Sequence, residues 1–155
     1  MSPSDNGDKP VVEPKQQGDG PDLTQRALQQ RIRQQEILAE LGVTALQGAS
    51  FDKLLNDTAR LTAEGLHAEF CKVLEHLPSE NRLLVRAGVG WGEGVVGVAT
   101  VGADVASPAG FALRTGKPVI SNHLANEERF RTPELLLQHG IRRAMNVILQ
   151  GDGRP

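Results

Sequence analysis

Tyrosine is missing from this 155-residue chain, tryptophan and cysteine occur once each, and phenylalanine occurs four times. Base stacking draws on aromatic side chains, and a net charge of -2 leaves no cationic excess to hold a phosphate backbone. Nucleic acid is not an expected partner. The lone Cys71 excludes an internal disulfide. No run reaches the ~18 apolar residues of a membrane span, and the acidic, polar N-terminus lacks the basic and apolar regions of a secretory leader. No membrane insertion is expected, and the chain reads as cytoplasmic. The spacings H-x-x-E-H, H-E-x-x-H and C-x-x-C are also absent, so His67, His76, His123 and His139 do not read as a zinc site.

What is present separates by composition. With 39% hydrophobic and 23% charged residues, the chain fits one globular domain plus appendages. Residues Met1 to Asp22 are Pro, Gly, Asp and Gln with almost nothing to bury, which predicts a disordered tail. From Leu23 to Gln47 the chain turns to helix formers, and Leu28, Ile32, Leu38, Leu41 and Ala45 draw a narrow apolar stripe along a Gln-rich rod. The phase slips at Gln34 and Gln35, so a dimerising and signalling helix and a helix lying on its own domain both stay open. The domain proper is expected over residues 48–155.

A second helix is predicted over Phe51 to Leu66, capped by Ser50, with Phe51, Leu54, Leu55, Ala59 and Leu61 or Thr62 at helical spacing. His67 to Leu77 and Asn81 to Val89 read as an antiparallel hairpin turning at Pro78-Ser79-Glu80. Ser107-Pro108 and Thr132-Pro133 each look like a cap followed by proline at the first helical position, ahead of short helices ended by Gly116 and Gly140. Pro118 to Ser121 is expected as a short strand. Ile141 to Gln150 is apolar enough for a central strand, and Gly151-Asp152-Gly153 after it signals a turn into one more strand. No such strand follows before Pro155, which suggests a fragment of a longer protein, because an unpaired apolar edge invites association.

Gly92, Gly94 and Gly97 fit G-x-G-x-x-G, the pattern of dinucleotide-binding folds. That fingerprint requires a helix opening on the glycines and an acidic residue ~20 positions later. Here β-branched and glycine-rich Val95 to Gly102 follows, Asp104 comes too early and Glu127 too late. The glycines are expected to shape a loop.

The ordered set AGVGWGEGVVGVATV, SPAGFALRTGKPVISNHLANEERF and HGIRRAMNVILQGDGRP resembles the GAF domains of bacterial signalling proteins, in particular those associated with histidine kinases. The resemblance runs from about Arg33 to Pro155. It implies an α+β fold: a central antiparallel sheet, N-terminal helices on one face, and short helices and loops roofing a pocket on the other. It also implies that a last strand and C-terminal helix are missing. Trp91, Phe111, Leu113, His123, Phe130, Met145 and Val147 are the expected pocket residues, and Leu28, Ile32, Leu38 and Leu41 the expected dimer contacts.

The cofactor stays unknown. The rim cysteine of bilin-binding relatives is absent, and the motif of cyclic-nucleotide relatives is broken, since Asn126 and Phe130 lack the accompanying Lys and Asp-Glu. Ser121 with His123 has no third member, so no enzyme is expected. Two readings follow: a regulatory sensor that binds an unidentified small molecule and signals to an output kinase domain as a homodimer, or a structural dimerisation module without ligand.

Overall fold

The computed structural model describes residues 23–150. The expected tail and the turn at Gly151 to Gly153 lie outside the described residues. Helix α1 (Leu23–Leu46) buries Ile37 alone. That side chain packs on helix α2 (Phe51–Leu66), where a Cβ on Gly65 would lie 3.0 Å from Ile37 Cδ1. Beside this contact Gln34 donates to the Gly65 carbonyl at 3.1 Å, and Arg33 Nε donates to Glu64 at 2.9 Å. The slip is explained at Gln34, which belongs to the face that meets α2, while Gln35 is exposed. Leu28, Ile32 and Leu38 fall on other faces and stay 60%, 52% and 61% exposed, with Leu41 half-buried.

Ser50 caps α2 by accepting from the Lys53 amide, while His67 ends it in the left-handed region at φ 51°. His67 therefore closes the helix rather than opening the hairpin strand, which starts at Cys71. Phe51, expected on the apolar stripe, is exposed at the helix start.

Strands β1 (Cys71–Leu77), β2 (Arg82–Val89) and β3 (Thr100–Gly102) form an antiparallel sheet in the order β1-β2-β3. Val73 pairs with Ala87 and Leu74 with Val85, leaving Arg86 as an extra residue at a bulge. Arg86 reaches Asp52 of α2 at 2.8 Å and Glu75 at 3.3 Å, tying the helix to this face. Leu74, one residue before Glu75, points to the opposite face, where Leu83, Val101 and Ala103 form a core with Ala109, Leu113 and Leu135. The layered α+β architecture is thus helix pair, sheet, and then short helices.

Helix α3 (Pro108–Thr115) starts as expected. Ser107 Oγ accepts from Gly110 at 2.9 Å and donates to the Gly102 carbonyl, anchoring the helix to the end of β3. The second expected cap fails. Helix α4 (Glu134–Gln138) begins after Pro133 with no side-chain cap, because the Thr132 hydroxyl donates instead to the Leu124 carbonyl at 3.0 Å.

The central strand expected over Ile141 to Gln150 is corrected too. Only Ala144–Asn146 forms a strand, β5, and it pairs with β4 (Val119–Ser121) in a separate two-stranded sheet. Its hydrogen bonds go to a short neighbour rather than to β1, so Met145, Val147 and Leu149 remain exposed. A second core of Ala112, Val119, Leu124, Phe130 and Leu136 holds this sheet to α3 and α4.

Candidate ligand-binding site

A cavity of about 710 Å³ lies between β1, α2, α3 and the chain from His139 to Leu149. Consecutive residues Cys71 to Leu74 line it, although alternate side chains of a strand point to opposite faces. The cavity therefore runs along the edge of β1 that is not paired with β2. It reaches Thr58 and Thr62 of α2 on one side of the sheet, and Ala109 and Leu113 of α3 on the other.

One corner is aromatic. Phe70 and Trp91 stand 5.1 Å apart between ring centroids, Trp91 and His139 5.0 Å, and Phe70 and His139 5.6 Å. Three elements bring them together. Phe70 precedes β1, Trp91 follows β2, and His139 ends α4. The indole Nε1 donates to the Cys71 carbonyl at 2.7 Å, holding Trp91 across the end of the hairpin. It lies over Gly88, where a Cβ would come within 2.8 Å of both Trp91 Cδ1 and the Cys71 oxygen. The glycine there is required by close approach. His139 Nδ1 lies 2.8 Å from the Leu135 carbonyl, which accepts only, so Nδ1 carries the proton.

Lys72 extends the corner, with its ammonium 4.8 Å from the centre of the Trp91 ring. Burial pushes its pKa down to about 8. Burial likewise pushes the Cys71 thiol up, which keeps it protonated and unreactive at neutral pH.

The glycine motif forms a turn-rich loop between β2 and β3 without a helix, and Gly94 and Gly97 adopt φ of 77° and 80°. Of the residues expected at the pocket, Trp91, Leu113, Met145 and Val147 line the cavity. Phe111 and Phe130 do not. Their rings pack 5.9 Å apart within the second core, because α3 turns that face toward β4. His123 is exposed in the turn after β4, away from the wall, while Ser121 beside it is buried. Phe70, Lys72 and His139 were not anticipated. The hairpin register held a signal for the first two, since Cys71 opposite Val89 brings the start of β1 beside the residues after β2. His139 arrives by tertiary packing.

The model of the GAF domain matches residues 50–155. The chain belongs to the GAF domain family. Two solved GAF domains share its fold. One is from an Acinetobacter phosphoenolpyruvate-protein phosphotransferase, 18% identical with a TM-score of 0.55, the match covering 66% of this chain and 61% of that one. The other is from the phosphoenolpyruvate-protein phosphotransferase ptsP of Coxiella burnetii, 15% identical with a TM-score of 0.56, covering 70% and 62%. The match thus spans about three fifths of each solved chain. No curated protein matches the sequence. Among the described residues of this GAF domain, no helix is long and apolar enough to cross a membrane.

Proposed function

We propose that this GAF domain is a regulatory sensor module that binds a small molecule in the cavity beside β1 and passes the signal to an output domain. The cavity carries the reading. Its volume lies in the range of small-molecule sites, and its aromatic corner with the half-buried Lys72 beside it matches the usual make-up of such sites. Two observations support a regulatory over a catalytic role: burial raises the pKa of the Cys71 thiol, and Ser121 is buried while His123 is exposed.

A histidine kinase is the output that the sequence resemblance implies, and the two similar structures come from phosphotransferases. A phosphoryl-transfer enzyme is accordingly the proposed output. Signalling requires the ligand to bind two states unequally, by ~1–3 kcal/mol in typical coupled sites. The proposed route runs from Glu75 of β1 through Arg86 of β2 and Asp52 to α2, and from Gly65 to Ile37 of α1.

Dimerisation through α1 is the second reading, favoured by the exposure of Leu28, Ile32 and Leu38. Thermal-shift screening against a small-molecule library separates the two. Ligands that raise the melting temperature of the native chain are expected to lose that effect on Trp91→Ala and keep it on the double variant Leu28→Asp, Leu38→Asp. A shift that survives Trp91→Ala would place the ligand elsewhere.

A further inference from the structure

Charge is unevenly distributed around the cavity. Lys72, Arg142 and Arg143 lie on its wall, and Glu69 is the one carboxylate there. Five described basic side chains away from the cavity are ion-paired, among them Arg33 with Glu36 and Glu64, Arg86 with Asp52 and Glu75, and Arg129 with Glu127, whereas others such as Arg82 and Arg114 meet only neutral groups. Among the described residues, Lys72, Arg142 and Arg143 form no ion pair. Lys72 is half-buried, and its ammonium stands 4.8 Å from the centre of the Trp91 ring.

A cation taken from water without a carboxylate is held at a cost, and a ring face recovers only a fraction of the lost hydration. An anion entering the cavity would supply the missing partner. We propose that the cavity is built for a small organic anion, with a carboxylate or phosphate head on Lys72 and a flat apolar body against Phe70, Trp91 and His139. Arg142 and Arg143, exposed on the same wall, add attraction for the anion. Burial has lowered the Lys72 pKa to about 8, and a bound anion would raise it again. The inference rests on the sensor reading above and gives that site its ligand class.

Trp91 is the single tryptophan, so its emission reports the site directly. Phenylacetate, phenyl phosphate and the uncharged phenylacetamide are titrated into the full chain. At least one anion is expected to bind about tenfold or more tightly than the amide, the scale of one charge-assisted hydrogen bond. Lys72→Met should abolish that preference and Lys72→Arg should retain it, with circular dichroism verifying both folds. The tighter of the two anions identifies the head group. Equal binding of amide and anions would overturn the anion inference and leave the sensor reading standing. A preference for anions that survives Lys72→Met would overturn the assignment to Lys72. Binding of none of the three probes would also overturn the inference, while a hit for an uncharged compound in the library screen would still support the sensor.

Discussion

At Lys72 the chain accepts a local penalty that pH can reveal. Its pKa falls from 10.5 in the unfolded chain to about 8 in the folded one, because burial disfavours the charged form. Below pH 8 both states are protonated and the full penalty applies; between pH 8 and 10.5 the folded state sheds its proton first and stability rises. Lys72→Met should therefore be more stable than the native chain at pH 7, and the difference should shrink by pH 10, as read from urea midpoints. Glu127 behaves in the opposite sense. Hydrogen bonds from Arg129 hold its carboxyl at about 2, so its contribution is present above the ordinary carboxylate range and is lost only as pH falls toward 2. Gly88 gives a steric prediction at the same scale. Any side chain there meets the Cys71 carbonyl and the Trp91 ring, so Gly88→Val should cost about 1–3 kcal/mol and expose the indole, seen as a red shift in emission.

At the scale of elements, the two serine or threonine sites before prolines illustrate what local sequence determines. Ser107 makes its cap to Gly110 and also binds the Gly102 carbonyl, so Ser107→Ala should destabilise by about 1–2 kcal/mol. Thr132→Ala removes one bond to Leu124 and no cap, and should cost less than Ser107→Ala in the same denaturation series. The helices, their ends and the β1-β2 hairpin were legible because caps, apolar spacing and turn residues act within a few positions. Thr132 misled because a distant carbonyl outcompeted the nearby amides. The segment after Ile141 misled for a similar reason: apolar composition marks residues that suit a sheet but leaves open which strand they pair with, and β4 took β5. In the site, Trp91 was legible as an indole among glycines with little local core to join. Lys72 and His139 were not, since their importance comes from burial and from neighbours brought in by other elements.

For the whole molecule, α1 presents two distinct faces. Ile37 holds the helix to the domain, so Ile37→Ala should lower stability by about 2–4 kcal/mol through the cavity it leaves on Gly65. Leu28 and Leu38 contribute little to that packing. Leu28→Asp with Leu38→Asp should leave the denaturation midpoint nearly unchanged and shift sedimentation toward monomer if α1 is the dimer contact. Both faces lie on one helix, so a ligand that alters the β1 edge can change how α1 is held without passing through a second domain. The central claim is that the cavity beside β1 holds a small molecule, and native mass spectrometry of freshly purified chain tests it most directly. The account predicts a discrete added mass that denaturation removes and that Trp91→Ala does not carry. An added mass retained by Trp91→Ala, or bare native chains that stay bare when the thermal-shift library is added, would contradict it.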